Sequence, residues 1–176
     1  REDSPGKAAA THAVLADALD VAANIEIARR FDVNGVVTVG TDQTVAVVAA
    51  VADALGLPCH VDPEAARWAT NKSAMRERLI AAGVRMPPGR VVGSPEERDR
   101  ALSLPLIVKP VDSQGQRGTS MVRDAENMAN AVAEALAASR AGHAVIESVV
   151  PGPEVTINGW VHDGVAHLLA INDRVT

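Results

Sequence analysis

Lys109 stands at the end of an apolar run, residues 104–109, and directly before a polar loop that contains two glycines. The β-branched run predicts a buried strand, and an unpaired ammonium in such a place is costly. A strand-end lysine more commonly extends to solvent. Here the following residues supply backbone N–H groups, hydroxyls and the guanidinium of Arg117, a combination that suits an anion. The anion that fits all these groups is a phosphate chain.

The segment Val108-Lys109-Pro110 followed by Asp-Ser-Gln-Gly-Gln-Arg-Gly resembles the second nucleotide lysine and the mobile glycine-rich loop of the ATP-grasp superfamily. That superfamily includes biotin carboxylase, D-alanine–D-alanine ligase and carbamoyl-phosphate synthetase. The resemblance implies that Lys109 and the loop bind the phosphates of ATP. The loop residues that it assigns to the nucleotide are Ser113, Gly115, Gln116, Arg117 and Gly118.

Lys72 lies in the first turn of a predicted helix that Asn71 caps and Gly83 ends. A cation is mildly unfavourable there because of the helix dipole, whereas a bound phosphate would attract both the helix start and the lysine. A solvated surface lysine is the alternative. The apolar residues of this helix predict a buried stripe of Met75, Leu79 and Ile80. The block resembles the ATP-grasp segment that carries the first nucleotide lysine, and Lys72 matches that position.

Glu147 follows a buried apolar strand, and Glu154 comes seven residues later, beyond a Pro-Gly turn. Both could be ordinary surface carboxylates. The block is similar to the adenine-binding hinge of the ATP-grasp family, which assigns Glu147 to the nucleotide site. The resemblance implies backbone contacts from Ser148 and Val150 to adenine, and a contact from Glu154 to the ribose. Many family members have lysine where Ser148 stands, so no side-chain contact is assigned to Ser148.

The composition excludes several classes of protein. The chain has 176 residues, 47% of them hydrophobic, and a formal charge of −5 without a basic cluster. Only Phe31, Trp68 and Trp160 are aromatic, so nucleic-acid binding is disfavoured. No apolar run reaches the roughly 20 residues of a membrane span. Cys59 is the single cysteine, which we interpret as a buried, inert thiol in a cytoplasmic protein.

Helices and strands alternate in the first third of the chain, which predicts a parallel sheet with helices on its faces. Asp20 can cap one helix, and residues 35–40 and 58–61 each predict a short strand. A dinucleotide site is disfavoured because Gly40-Thr41-Asp42 supplies only one glycine of the required three. Asp42 either caps the next helix, which is the favoured interpretation, or lies at a ligand site at the carboxyl end of the strand.

Later elements support the site without adding chemistry to it. Ser94-Pro95 predicts a helix start, and residues 124–138 predict a helix. The pair Asp163-Gly164 predicts a tight hairpin. His162 and His167 lie across that hairpin and are weak metal-ligand candidates, with solvent-facing strand histidines as the favoured interpretation.

The fold class predicted from the pattern and the resemblance is α/β. It consists of a Rossmann-like, pre-ATP-grasp parallel sheet in residues 1–69, followed in residues 70–176 by part of an ATP-grasp fold. This second part is α+β, with an antiparallel nucleotide-binding sheet. A first strand is expected before the present start of the chain, and both ends look cut, so we interpret the sequence as an N-terminal fragment.

The resemblance implies an ADP-forming ligase that joins a small-molecule carboxylate to an amine through an acylphosphate. The implied cofactors are ATP and Mg²⁺, with the metal ligands expected beyond residue 176, so no catalytic or metal-binding residue is assigned here. The fragment alone is expected to be inactive. Nucleic-acid and membrane partners are not expected, and a homodimer is left open. Two alternatives remain: an ATP-binding regulatory or assembly module, and a small α/β domain whose glycine loop is only structural.

Overall fold

The computed structural model describes residues 4–97 and 102–174. A helical N-terminal region precedes a four-stranded antiparallel sheet, and a separate two-stranded hairpin follows. Short 3-10 turns at Asp42–Thr44, Pro95–Glu97 and Ala125–Asn127 connect some of the elements. The helices and strands, in chain order, are α1 Pro5–Ala9, α2 Val21–Arg30, α3 Val45–Leu55, α4 Pro63–Thr70, α5 Lys72–Ala81, β1 Gly89–Val92, β2 Leu106–Pro110, β3 Ser120–Val122, α6 Met128–Ala137, β4 Ala144–Ser148, β5 Val155–His162 and β6 Val165–Asp173.

The helix ends follow local chemistry. The side chains of Asp20, Asp62 and Asn71 accept hydrogen bonds from backbone N–H groups in the first turns of α2, α4 and α5. Such caps stabilise a helix by about 1 kcal/mol each. Gly56 and Gly83 follow the ends of α3 and α5 with φ values of 64° and 77°, a conformation that favours glycine. The predicted caps at Asp20 and Asn71 and the predicted stop at Gly83 are therefore confirmed.

The two strands predicted in the N-terminal region do not form. Residues 35–40 and 58–61 have no paired strand in the described part of the chain, where both sheets are antiparallel. In the first segment Val36 packs against the α2–α3 cluster, whereas Val37 and Val39 are 77% and 90% exposed. Burial therefore alternates from residue to residue along this segment, as in a half-buried strand. A strand also requires a hydrogen-bonded neighbour, however, and this segment has none in the described part of the chain. The predicted Rossmann-like parallel sheet is not confirmed.

Several side-chain predictions are also wrong. Asp42 begins a 3-10 turn, and no capping hydrogen bond from its side chain is formed within the described residues. Cys59 is exposed, because its segment is not part of a sheet. Of the predicted stripe on α5, Met75 and Leu79 are half-buried but Ile80 is 55% exposed. The fully buried residues of this helix are Ala74 and Arg76.

The main core lies between the four-stranded sheet and α6. The strand order is β1-β4-β2-β3, and every pairing is antiparallel. Residues on β2 alternate between buried and half-buried positions, so one face of the strand packs into the core and Lys109 lies on the other. The core side chains are Val92, Leu106, Val108, Val122, Met128, Ala131, Val132, Ala135, Ala144 and Ile146.

A second cluster joins α2 to α3 in the N-terminal region. Its buried members are Ala28, Val47 and Val51. The apolar sequence of α3 is buried on most sides, because α2 and α4 both pack against it. This helical layer lies next to the sheet, and Gln43 at its edge donates a hydrogen bond to the backbone carbonyl of Asp112 at 2.9 Å.

The hairpin β5–β6 turns at Asp163-Gly164, as predicted, with φ values of 49° and 74°. Positive φ at both turn residues is typical of the tight turn that suits twisted strands. His162 and His167 are exposed, which confirms the favoured interpretation. The helix predicted after Ser94 shows only the turn Pro95–Glu97, and its continuation falls on residues 98–101, outside the described residues. No helix in the described ranges has the length and apolarity to span a membrane.

Candidate functional site

Lys109 and Glu147 form an ion pair on the face of the sheet opposite α6. On the neighbouring strands β2 and β4, Lys109 pairs with Val145 and Glu147 pairs with Ile107. The two charged residues are therefore diagonal neighbours on one face, within reach of each other's side chains. The side chains are 24% and 14% exposed, so water screens this pair only partly.

Arg76 on α5 contacts the same carboxylate. Its guanidinium lies 3.4 Å from the second oxygen of Glu147, and it also donates a hydrogen bond to the backbone carbonyl of Pro87. Arg76 is only 9% exposed. Arg76 was not among the site residues predicted from the sequence. The available signal was its spacing, four residues after Lys72 and therefore on the same side of the helix.

Lys72 begins α5 and reaches the glycine-rich loop. Its backbone N–H donates to the carbonyl of Val111 at 2.7 Å, and its Nζ donates to the carbonyl of Ser113 at 2.6 Å. Burial lowers the pKa of Lys72, and the nearby charge of Lys109 lowers it further. The two ammonium groups are thus close enough to repel each other. The chain has three lysines, and two of them lie at this site.

The loop between β2 and β3 has an unusual backbone. Gly115, Gln116 and Gly118 have φ values of 66°, 61° and 67°, in the region that favours glycine. A Cβ atom on Gly118 would lie 2.6 Å from the Cβ of Ala138, at the end of α6. The loop is therefore close to the helix at Gly118. Ser113 is buried at its start, and Arg117 is exposed.

Asp112 attaches the start of the loop to the end of α6. One carboxylate oxygen accepts a hydrogen bond from Ser139 Oγ at 2.7 Å, and the other accepts from the backbone N–H of Ala141 at 2.8 Å. The backbone carbonyl of Asp112 accepts from Gln43, as described above. The start of the loop is therefore fixed in position, because side chains from two other regions of the chain form hydrogen bonds to Asp112. Neither Asp112 nor Gln43 was predicted as a site residue.

The predicted adenine and ribose residues are Ser148, Val150 and Glu154. The backbone N–H of Ser148 donates to the carbonyl of Pro88 at 2.8 Å, so this N–H is already used within the protein. Val150 is 67% exposed. Glu154 forms an ion pair with Arg174 at 2.7 Å, at the base of the hairpin. The roles assigned to these three residues stay predictions.

The residues present do not form a magnesium site. In the ranges 4–97 and 102–174, no group of three or more His, Cys, Asp or Glu side chains is arranged to hold a metal ion. Asp112 and Glu147, the two acids whose charges act on Lys72, use both carboxylate oxygens in contacts with protein groups. No step is therefore assigned to magnesium here. An anion of several charges, by contrast, matches the cations and the loop.

Comparison with known sequences identifies two relatives, while no family model matches the chain. An uncharacterized protein, y4rH, from Sinorhizobium fredii is 33% identical over 106 residues, which cover 58% of this chain and 22% of that protein. A formate-dependent phosphoribosylglycinamide formyltransferase from Oleidesulfovibrio alaskensis is 39% identical over 93 residues, 49% of this chain and 23% of that protein. The matched segments thus span less than a quarter of the relatives' lengths.

Solved structures of ligases have similar folds. An L-amino acid ligase from Bacillus licheniformis matches 88% of this chain and 36% of its own, with a TM-score of 0.73 and 26% identity. A D-alanine–D-alanine ligase from Helicobacter pylori matches 76% and 42%, with a TM-score of 0.62 and 18% identity. A D-alanyl-alanine synthetase A from Vibrio cholerae matches 73% and 41%, with a TM-score of 0.60 and 16% identity.

These neighbours are ATP-grasp ligases, and they match most of this chain. The resemblance that was predicted from the segments around Lys72 and Lys109 is therefore confirmed.

Proposed function

We propose that this chain is the phosphate-binding part of an ATP-dependent, ADP-forming ligase that joins a carboxylate to an amine. The observation that carries the proposal is that Lys72 Nζ reaches the carbonyl of Ser113, at the start of the loop of residues 113–119, which follows the strand that carries Lys109. The similarity to ATP-grasp ligases supports an ATP-dependent ligase in general. The acylphosphate route and the status of the chain as an N-terminal portion are parts of the proposal.

The charges at the site favour an anion. Lys72, Arg76 and Lys109 bring three positive charges, and Glu147 and Asp112 bring two negative ones. The carboxylate of Asp112 is already held by groups at the end of α6. The lowered pKa of Lys72 means that its surroundings disfavour the ammonium form. A bound phosphate would reverse this effect, because its charge stabilises the ammonium.

Backbone groups add to the attraction. Lys72 occupies the first turn of α5, a helix of ten residues whose N-terminus favours negative charge. The loop then supplies N–H groups from residues with left-handed backbone, a conformation found in anion-binding concavities. In the proposal the lysines and the loop hold the phosphates. The carbonyl of Ser148 and the N–H of Val150 contact adenine. The carboxylate of Glu154 releases Arg174 and accepts hydrogen bonds from the ribose hydroxyls.

The proposed chemistry has two steps. A carboxylate oxygen attacks the γ-phosphorus of ATP, the bond to the β-phosphate oxygen breaks, and ADP leaves. An amine then attacks the acyl carbon of the acylphosphate, inorganic phosphate leaves, and the amine loses a proton. The residues of this chain orient the phosphates and neutralise their charge, which is the main contribution of protein groups to phosphoryl transfer. Magnesium, when bound, would offset part of the negative charge of the phosphates, and we assign none of the described residues to it.

The names of the relatives define the carboxylates to test. Two of the structural neighbours are ligases named for amino acids, and one sequence relative is named for formate. We therefore propose amino acids and formate as the first carboxylate probes. The domain boundary near residue 70, the cytoplasmic location, the homodimer and the absence of nucleic-acid and membrane partners stay predictions.

The experiment is an ADP-release assay on the full-length protein with MgATP, pairs of carboxylates and amines, and single substrates as blanks. The proposal expects ADP release that requires a carboxylate and a coupled product that also requires the amine. ATP binding without ADP release from any pair would favour the regulatory or assembly module. If ATP does not bind at all, the proposed function is wrong, and the glycine loop is structural.

A further inference from the structure

Arg76 is a buried charged residue whose charge contributes to the proposed site but to which the proposed function gives no separate role. It is only 9% exposed, whereas Arg78, two residues later on the same helix, is exposed and lies over the ring of Trp68. A buried guanidinium is costly unless charged or polar partners compensate for it. Its partners in the described residues are the carboxylate of Glu147 and the carbonyl of Pro87.

Glu147 divides its carboxylate between two cations. One oxygen pairs with Lys109, and the other lies 3.4 Å from the guanidinium of Arg76. A single negative charge therefore serves two positive charges, and the three side chains carry a net charge of +1. If Arg76 were neutral, the charges of Lys109 and Glu147 would cancel, and the pair would have no net positive charge to attract an anion.

We infer that Arg76 is a positioning residue that makes Lys109 available to phosphate. It holds the second oxygen of Glu147, which directs the first oxygen to Lys109, and its charge weakens the hold of the carboxylate on the lysine. We assign Arg76 no direct contact with the ligand, because its guanidinium is engaged by Glu147 and by the carbonyl of Pro87. This inference rests on the proposed function for the identity of the anion, but its first consequence can be measured without nucleotide.

A purely structural role predicts a different result. Arg76 also fixes the carbonyl of Pro87, two residues before β1, where Gly89 lies against Glu147. If this were its only task, loss of the charge would loosen the segment and would expose Lys109. Lys109 would then react faster with solvent reagents, or at an unchanged rate.

The test is acetylation of Lys109 by acetic anhydride, followed by mass spectrometry of the full-length protein without nucleotide. Arg76→Gln keeps hydrogen-bond donors but removes the charge, and we expect it to slow acetylation of Lys109 at least threefold, because an uncontested carboxylate holds the ammonium more tightly. Arg76→Lys should restore the wild-type rate within about twofold. Arg78→Met removes a positive charge from the exposed side of the same helix and should leave the rate unchanged.

Glu147→Gln provides a second variant in case Arg76→Gln does not fold. It removes the carboxylate, and we expect acetylation of Lys109 to accelerate at least threefold. An unchanged or faster rate in Arg76→Gln, or an unchanged rate in Glu147→Gln, would overturn the inference. The acetylation of Lys7 in the same samples reports any general change in reagent or folding.

A second measurement connects the residue to the nucleotide. We expect Arg76→Gln to raise the Kd for ATP about tenfold, while Arg76→Lys stays within about threefold of wild type. If Arg76→Gln changes the acetylation rate of Lys109 but the wild-type protein does not bind ATP, the proposed function is rejected. The effect of Arg76 on Lys109 through Glu147 is then retained. Normal ATP binding by a folded Arg76→Gln protein would reject the positioning role.

Discussion

Glu147 lies one diagonal step from Lys109 across strands β4 and β2, and the two side chains meet on the face of the sheet that α6 leaves open. This relationship follows from the strand register, because residues two apart on a strand point to the same side. It means that the strand carrying Lys109 and the strand that ends at Ser148 share one charged contact. A change at either residue therefore affects the site and the sheet together.

The Glu147→Gln substitution tests how much this contact contributes to stability. It leaves Lys109 and Arg76 without their shared counter-charge, and we expect a loss of about 1–2 kcal/mol in the free energy of unfolding, moderated by the partial exposure of the pair. Urea unfolding measures it. Glu134→Gln, on the exposed side of α6, is the matched control and should change stability by less than about 0.5 kcal/mol. Equal effects of the two substitutions would show that the contact contributes nothing.

The two loop glycines give a paired test of the contact between the loop and α6. Gly115 and Gly118 both have positive φ. A Cβ added to Gly115 would have no atom within 4 Å, whereas a Cβ added to Gly118 would lie only 2.6 Å from the Cβ of Ala138. Gly115→Ala should cost about 1–2 kcal/mol from the backbone alone. Gly118→Ala should cost about 1–3 kcal/mol more, because overpacking is added. Similar unfolding free energies for both variants would contradict the packing of the loop on α6.

Gly89 should tolerate no side chain. A Cβ at this position would lie 2.5 Å from the carbonyl oxygen of Ile146 and 2.8 Å from the Cβ of Glu147. Gly89→Ala should therefore separate β1 from β4 and lower the free energy of unfolding by about 1–3 kcal/mol. Gly35→Ala, at a position with no atom within 4 Å of the added Cβ, is the control and should stay within about 0.5 kcal/mol of wild type. A stable Gly89→Ala protein would contradict the register of β1.

The lowered pKa of Lys72 predicts a specific pH dependence of stability. In the unfolded chain this lysine titrates near 10.5, and in the folded chain it titrates at a lower pH. Between the two pKa values the unfolded state binds more protons, so the free energy of unfolding of the wild type should rise with pH relative to Lys72→Met. At pH values below the folded pKa the difference should be constant.

Urea unfolding of both proteins from pH 7 to pH 11 measures this difference. Lys7→Met controls for the loss of a lysine elsewhere in the chain. A difference between wild type and Lys72→Met that is flat with pH, or that falls as pH rises, would show that the folded protein does not disfavour the ammonium of Lys72.

Local signals in the sequence predicted the parts of the fold that depend on local chemistry. The caps at Asp20 and Asn71, the stop at Gly83 and the Asp163-Gly164 turn each involve residues within a few positions of one another. The loop and its two lysines could be found for a similar reason, because their spacing along the chain carries the family resemblance.

Features that depend on distant partners could not be predicted in this way. Residues 35–40 have the alternation of a strand, but pairing needs a neighbour that the local pattern cannot specify. From the local sequence, Arg76 is indistinguishable from a surface arginine. It is buried because α5 packs against the sheet and brings it to Glu147, which lies 71 residues away in the chain. Glu147 was assigned to the nucleotide, and its ion pairs with Lys109 and Arg76 depend on strand register and helix packing that the sequence does not show.

The most direct test of the central claim is the affinity of the full-length protein for ATP with Lys109 changed to methionine. Methionine keeps most of the unbranched apolar part of the side chain and removes its charge. Titration calorimetry should show a Kd for ATP at least tenfold higher in Lys109→Met than in wild type, because one charged contact to phosphate is lost. Lys7→Met, which removes the one lysine of this chain that lies outside the site, should bind as wild type does. Unchanged ATP affinity in a folded Lys109→Met protein would contradict the assignment of this site to a nucleotide.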